Sequence, residues 1–333
     1  MAKDFDYKGY SEEKLLRLCD ETKSDRGIAK WKYWSAEVYS FGRHIRDYAF
    51  YPSAFTLYCF TDHGAGAYFD EVAKHELESD APCQFYHSPL SVELFKKVSN
   101  KPCYTLFSPF VWYRRKNKIE KISEAKGTLA FPIHSTHCID LASDMEIYIE
   151  QLKALPEEFQ PVSVCLHHCD INKGQYKLFF KHNIPVYTAG DMYDQNFAQR
   201  FYDILKNFRY STSNAIGSYT YYSVEMGIPF SIYGEKLVLM NNSDSNLEKG
   251  ECKFQENPQY QKIYKMFEGL NKQITPEQKE FVEKHLGIYD GISRLKMAKI
   301  LYLLYLKKGN PFKDLSYALK MIRRKRRIKN ETF

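Results

Sequence analysis

The chain lacks a run of eighteen apolar residues, and its first residues, MAKDFDYKGYSEEK, contain no apolar segment of the signal-peptide kind. We therefore expect neither a membrane-spanning helix nor secretion, and a cytoplasmic location. The eight cysteines include no C-x-x-C pair, so we expect reduced, mostly buried thiols and no cysteine-based metal framework. Of the 333 residues, 44% are hydrophobic and 27% are charged, which excludes a disordered chain.

Two phosphate-binding fingerprints are also missing. Neither G-x-G-x-x-G nor G-x-x-x-x-G-K-[ST] occurs, so the sequence does not support a dinucleotide-binding or a P-loop ATPase site.

Positive charge is concentrated at one end of the chain. The formal net charge is +7, and residues 320–333 contain seven basic residues against Glu331. This basic tail, which includes Arg323, Arg324, Lys325, Arg326 and Arg327, is typical of segments that bind an anionic membrane surface. A solvated terminus is the alternative, and we expect no nucleic-acid partner because no nucleic-acid-binding motif accompanies the tail.

Apolar runs of strand length alternate with amphipathic stretches over most of the chain, which predicts an α/β fold with parallel strands. In the first part, the pattern predicts helices over 11–21, 36–48 and 92–98, and strands over 54–60, 84–86 and 103–107. A polar segment, 114–126, is the predicted linker.

After the linker the alternation is more regular and predicts a doubly wound sheet. The predicted strands are 128–132, 162–166, 185–188, 210–213 and 230–232, and the predicted helices are 144–155, 173–182, 195–207 and 218–226. Past Gly234 only helices are predicted, over 257–270, 275–285, 291–308 and 311–322.

Ligands of open α/β sheets bind beyond the carboxyl ends of the strands. Five loops occupy such positions, at 61–66, 132–137, 167–170, 189–191 and 213–218. In the last loop, Ser213 and Asn214 are predicted to cap the following helix, Gly217 to let the backbone approach a ligand and Ser218 to add a hydroxyl. That combination suits a phosphate or diphosphate bound without a metal.

The turn S-N-x-x-G-S, followed by a helix and by Met226-Gly-Ile-Pro-Phe230, resembles the donor-binding motif of GT-B glycosyltransferases. The similar members are bacterial enzymes of capsule and lipopolysaccharide biosynthesis, including sialyltransferase-like and teichoic-acid-polymerase-like proteins. The resemblance covers about 127–233 and extends to the first half only through its architecture and the Asp62-His63-Gly64 loop.

The resemblance implies two Rossmann-like domains with a facing cleft and a helical C-terminal region. It implies an acceptor domain over 1–120, a nucleotide-sugar donor domain over 121–290, helices over 291–322 that pack back on the first domain, and the basic tail over 323–333. The implied donor is a nucleotide-sugar, and the implied acceptor is a hydroxyl of a glycan or glycolipid at the inner face of the membrane.

Site roles follow from this resemblance. Asp62 or His63 would be the catalytic base, and the donor would be bound by His134, Ser135, Thr136, Gly190, Ser213, Asn214, Gly217 and Ser218. No metal cofactor is expected, because backbone dipoles and side chains stabilise the leaving phosphate in such enzymes. Tyr222 stands where many UDP-sugar enzymes have a glutamate, which favours a CMP- or CDP-activated donor over UDP.

Two other functions remain open at this point. One is a metal-dependent hydrolase that uses His134, His137 and His168, although these residues match no known ligand spacing. The other is a nucleotide- or glycan-binding protein without catalytic activity.

Overall fold

The structure is a computed structural model that describes residues 5–64, 70–142, 144–236, 238–245 and 247–331, with side chains described as far as residue 326. Two parallel sheets organise these residues, one of three strands and one of five. Fourteen α-helices and a small antiparallel sheet complete the described part of the chain. The predicted α/β fold class is confirmed.

The first sheet contains three short parallel strands in the order β1-β2-β3. They are β1 (Phe60–Thr61), β2 (Gln84–Tyr86) and β3 (Cys103–Thr105). The predicted strand over 54–60 is observed only at its end. The backbone N–H and the hydroxyl of Thr56 instead donate to the buried carboxylate of Asp314, at 3.0 Å each, so this segment pairs with a C-terminal helix and not with a strand.

The second sheet has the strand order β7-β6-β4-β8-β9, with all pairs parallel. The chain adds β6 and β7 on one side of β4 and then β8 and β9 on the other side, as in a doubly wound sheet. All five predicted strands are present, as β4 (Thr128–Ala130), β6 (Val162–Cys165), β7 (Val186–Tyr187), β8 (Tyr210–Ser213) and β9 (Phe230–Ile232). Every residue of these strands is buried, which explains their continuous apolar or small-residue character.

A three-stranded antiparallel sheet was not predicted. It joins β5 (Ile139–Leu141), β10 (Leu239–Asn241) and β11 (Gly250–Glu251), in the order β11-β10-β5. The prediction of helices alone past Gly234 was therefore wrong. Strands of two or three residues leave no alternating pattern to read, and β10 pairs with a partner far away in the sequence.

Eleven helices of the described residues were predicted, with shifted ends, and those at 74–78, 109–116 and 168–172 were not predicted. The first nine are α1 (Glu12–Cys19), α2 (Phe41–Tyr48), α3 (Lys74–Glu78), α4 (Pro89–Val98), α5 (Pro109–Lys116), α6 (Met145–Lys153), α7 (His168–Asn172), α8 (Tyr176–Lys181) and α9 (Phe197–Leu205). The last five are α10 (Ser218–Glu225), α11 (Pro258–Phe267), α12 (Pro276–His285), α13 (Arg294–Lys308) and α14 (Pro311–Glu331). The predicted capping box of Thr275 and Gln278 is present at α12.

Helix α14 is longer than predicted, because the basic tail continues it as far as Glu331. Asp314 fixes this helix against the first sheet by accepting hydrogen bonds from Thr56 and, at 2.9 Å, from the hydroxyl of Tyr305 in α13. No helix among the described residues is both long and apolar enough to cross a bilayer.

The polar segment 114–126 begins inside α5, and Arg114 in it makes a buried ion pair. Its guanidinium donates two hydrogen bonds to the carboxylate of Glu225, at 2.7 and 2.6 Å, and Arg115 adds a third at 3.0 Å. The Glu225 side chain is 1% exposed. Beside it the rings of Phe110 and Tyr222 stack at 4.3 Å. These contacts join α5, which follows the first sheet, to α10 of the second.

We expect Glu225→Gln to destabilise the protein by about 3 to 5 kcal/mol, because it leaves the partly buried Arg114 without its counter-charge. The shift of the urea midpoint measures this loss.

Glu158→Gln is the matched control, since Glu158 pairs with Lys272 at 2.6 Å but both side chains are exposed. We expect a change below about 1 kcal/mol for that variant. Equal midpoint shifts for the two variants would contradict a stabilising role of the buried pair.

Candidate functional site

The loops at the carboxyl edges of the two parallel sheets come close to each other. His63, after β1, lies near enough to His134, after β4, for their charges to interact. Asp62 and Tyr222 interact electrostatically across the same region. The amide of Asn257 also donates to Asp70 at 2.7 Å. Side chains from both sheets are therefore brought to one site.

Asp62 binds His87, a residue that the sequence analysis did not select. The Oδ1 atom of Asp62 lies 2.5 Å from Nδ1 of His87, and its Oδ2 accepts the backbone N–H of His87 at 3.0 Å. His87 is fully buried, and its Nε2 has no hydrogen-bond partner. Because both oxygens of Asp62 contact His87, the carboxylate orients that imidazole and is not directed at an acceptor.

His63 has an exposed side chain, in contrast to Asp62, but loss of solvation around its ring and the nearby His75 lower the pKa of its imidazole to about 4. Its ring lies 5.2 Å from the indole of Trp34 and 5.9 Å from the ring of His75. Of the two residues predicted as the base, His63 is therefore the one open to a substrate. The predicted loop continues to Gly66, which lies outside the described residues.

Glu76, in α3, is a further titratable group near Asp62. Burial and the charge of Asp62 raise the pKa of the Glu76 carboxyl to about 8. The hydroxyl of Tyr86 lies 3.4 Å from its Oε2. Glu76 is therefore protonated at neutral pH.

The loop after β4 holds its predicted donor-binding residues in internal hydrogen bonds. The backbone N–H and the hydroxyl of Ser135 both donate to Oδ1 of Asp170, at 3.0 and 2.7 Å. The hydroxyl of Thr136 accepts from the N–H groups of Cys138 and Ile139, at 3.1 Å each. Ser135 and Thr136 thus shape the loop.

The turn after β8 is held together in a similar way. Asn214 accepts from the N–H of Ile133 at 2.9 Å and donates to the carbonyl of Glu235 at 3.1 Å, so it ties together the loops after β4, β8 and β9. The hydroxyl of Ser213 accepts from the N–H of Ala215 at 3.1 Å. The prediction that Ser213 and Asn214 cap α10 was wrong, because Gly217 occupies the N-cap position.

The glycines in these loops are required by close packing. A Cβ on Gly217 would lie 2.5 Å from the ring of Tyr219. Gly190 has a φ of +88°, and a Cβ there would lie 2.8 Å from the carbonyl oxygen of Leu18. These neighbours account for both glycines, and Ser218 is the partly buried first residue of α10.

A small pocket opens beside Asn214, between the loops after β4, β8 and β9 and helix α11. It combines aromatic rings with one cation, and its lining includes Ile133, Asn214, Lys236, Phe254, Tyr260 and Tyr264. The ammonium of Lys236 lies 4.5 Å from the centre of the Tyr264 ring. Aromatic faces beside a positive charge suit a ligand that has a planar or sugar ring and a phosphate.

The loop after β6 gathers potential metal ligands. Among the described residues, one cluster of three potential ligands is found. It consists of His167, His168 and Cys169, whose ligand atoms lie within 4.8 Å of one another. His134 and His137 lie near enough to His168 for their charges to interact, but they are not members of this group of ligand atoms. Burial lowers the pKa of His168 to about 4, and burial and Asp170 raise the pKa of the Cys169 thiol to about 11.

A larger cavity, of about 680 Å³, lies away from these loops between α2, α5 and the end of α14. Three ion pairs line it: Arg46 binds Glu37 at 2.6 Å, Lys116 binds Asp47 at 2.6 Å, and Lys325 binds Asp25. Arg43 donates instead to the Gln195 carbonyl and to the side-chain oxygen of Asn196, at 3.0 and 3.1 Å. The lysine of the basic tail that was predicted to meet a membrane is thus bound to the protein itself.

We expect the raised pKa of Glu76 to make the protein less stable as pH rises. The folded state holds this proton up to about pH 8, whereas the unfolded carboxyl releases it near its ordinary value of 4.5. Stability is therefore lost between pH 4.5 and 8, and Glu76→Gln removes this loss. Melting temperatures of the two proteins should coincide near pH 4 and diverge in favour of the variant toward pH 8.

Glu78→Gln provides the control, because Glu78 is an exposed residue of the same helix. Its melting temperature should follow that of the unchanged protein at every pH. A constant difference between Glu76→Gln and the unchanged protein would show that Glu76 does not titrate as stated.

Comparisons with known proteins give a faint structural likeness only. No family model matches the chain, and no curated protein is similar to it in sequence. Two structures of the wall teichoic acid polymerase TagF soaked with CDPG are similar in fold, at 8% and 10% identity and TM-scores of 0.43 and 0.40. The match covers 89% of this chain and 93% and 92% of the two TagF chains. Because these TM-scores are low, the likeness supports no conclusion about function.

Proposed function

We propose that the chain is a GT-B-type glycosyltransferase. It transfers a sugar from a CMP-, CDP- or UDP-activated donor to a hydroxyl of a bacterial surface glycan, without a metal cofactor. The main support is the group of Lys236 and Tyr264, whose ammonium and ring centre lie 4.5 Å apart beside the loops that follow β4, β8 and β9.

The donor binds over the mouth of the pocket that Lys236 and Tyr264 line, because the enclosed volume of about 20 Å³ is too small to hold a nucleotide. The rings of Tyr260 and Tyr264 contact the base or the sugar, and the ammonium of Lys236 neutralises phosphate charge. Helix α10 begins three residues after Ala215, which lines the pocket, and the positive end of its dipole favours a phosphate there. Of the predicted donor residues, Asn214 lines this pocket, and Ser213 and Gly217 shape the turn that carries Asn214.

The acceptor hydroxyl is deprotonated by His63. This histidine is exposed and lies near His134 of the opposite sheet, so a sugar bound between the two edges is within its reach. Asp62 acts through His87 as a positioning residue, since its oxygens are bound to that imidazole.

The protein works at the inner face of the membrane, where a lipid-linked acceptor is available. Helix α14 supports this location, because three of its apolar side chains face solvent: Phe312, Leu315 and Leu319 are 86%, 51% and 56% exposed. The exposed Arg323, Arg324 and Arg326 continue the same helix. An apolar stripe followed by arginines is typical of helices that lie on anionic bilayers.

We expect one family of pyrimidine nucleotides to raise the melting temperature in the presence of EDTA, because a ligand of the native state stabilises it by mass action. Lys236→Ala should weaken nucleotide binding about tenfold or more, through loss of a charged contact worth about 1.5 to 3 kcal/mol. Calorimetric titration measures the affinity, and release of nucleotide from the sugar conjugate measures turnover.

Two variants complete this test. Lys265→Ala, on the exposed side of α11, should bind nucleotide like the unchanged protein. His63→Ala should keep donor binding and lose about 10²- to 10⁴-fold in turnover, as expected for a general base. Binding without turnover in the unchanged protein would favour the non-catalytic alternative, and no binding of any nucleotide, either with EDTA or with one equivalent of Zn²⁺, would refute the donor site.

We expect the triple variant Arg323→Gln, Arg324→Gln, Arg326→Gln to bind vesicles of anionic lipid on the order of a hundredfold more weakly, because each basic residue near such a surface contributes about 1 kcal/mol. Co-sedimentation with phosphatidylserine-containing vesicles measures the difference.

The control neutralises three exposed lysines elsewhere, Lys96, Lys97 and Lys118, and should bind vesicles as the unchanged protein does. If both triple variants bind equally, α14 is not the membrane contact.

A further inference from the structure

The loop after β6 contains a cluster that the proposed transfer reaction does not use. His167, His168 and Cys169 follow one another there, and their ligand atoms lie within 4.8 Å of one another. Nε2 of His168 is 3.5 Å from Sγ of Cys169. Two nitrogens and a sulfur bound to one zinc ion at about 2.0 and 2.3 Å would be separated by similar distances.

Two polar atoms beside this cluster have no hydrogen-bond partner among the described residues. One is Nε2 of His167, which is buried while Nδ1 of the same ring accepts the N–H of Cys169 at 3.4 Å. The second is Oδ2 of Asp191, a residue that is fully buried and whose charge acts on both His168 and Cys169. Buried polar atoms without partners are costly, so a bound cation would relieve an existing penalty.

The surroundings also fit a metal centre. The ring of His134 stacks on that of His167 at 4.1 Å and holds it in place. His167 and Cys169 are only half-buried, so an ion can enter from solvent. Ligands of this type, imidazole with thiolate, select zinc-like ions over magnesium or calcium.

We propose that His167, His168 and Cys169 bind one thiophilic divalent ion of the zinc class. Binding replaces the Cys169 S–H bond with a metal–sulfur bond and releases the proton to solvent, with no change of oxidation state. Asp191 contributes negative charge beside the ion. Because the loop after β6 abuts the loop that carries His134, the ion fixes one wall of the proposed cleft, and it takes no part in the transfer step.

Cobalt titration of the chelator-treated full chain tests this proposal. One equivalent of Co²⁺ should give a thiolate-to-cobalt charge-transfer absorption, and one equivalent of Zn²⁺ should abolish it. Cys169→Ser should lose this absorption, and His168→Ala should reduce the affinity at least tenfold. Cys252→Ser, which removes another half-buried thiol, should behave like the unchanged protein.

The melting temperatures of the metal-free variants establish that each is folded. The proposal is overturned if folded wild-type protein shows no charge-transfer absorption, or if Cys169→Ser retains it. Nucleotide binding in EDTA is measured separately, so failure of the metal site and failure of the donor site give different results.

Discussion

Parallel pairing is the constraint on which the arrangement of this protein depends. Every pair in the two main sheets is parallel, so each strand must be followed by a return segment, and all the loops after the strands meet at one edge. The Arg114–Glu225 ion pair and the Phe110–Tyr222 stack then connect the two sheets through α5 and α10. Residues as far apart in sequence as His63 and His134 become neighbours as a result.

The hydrogen bonds of buried polar groups determine which loop residues can bind a ligand. Asn214 has its amide and its carbonyl oxygen bonded to neighbouring loops, and Ser135 directs both donors to Asp170. Such side chains hold the shape of the edge, because breaking their bonds to bind a ligand would leave other buried groups unpaired. Ligand contacts are therefore expected from other parts of the walls, such as Lys236 and the ring of Tyr264 beside it.

The sequence predicted the elements well where burial leaves a continuous pattern, as in the five strands of the second sheet. It located the loops that form the candidate site for the same reason, since those loops follow the strands. The hydrogen-bond partners of individual side chains could not be predicted from the sequence. Nothing local indicates that Asp62 binds His87, because that contact depends on β1 and β2 lying side by side. His167 was missed as a helix cap because histidine seldom caps, and so the short helix α7 was not predicted.

The orientation of α14 shows how one buried carboxylate can override an apolar stripe. An amphipathic helix normally turns Phe312, Leu315 and Leu319 toward the core, because burying each is worth about 1.5 to 3 kcal/mol. Here Asp314 lies on the opposite face and accepts three hydrogen bonds from Thr56 and Tyr305. If the helix turned Asp314 outward, the buried N–H and hydroxyl of Thr56 and the hydroxyl of Tyr305 would lose their acceptor, at a cost of about 1 to 3 kcal/mol each, so these donors favour the inward orientation. The apolar stripe is thereby left facing solvent in line with the arginines, which is the orientation that contact with a bilayer requires.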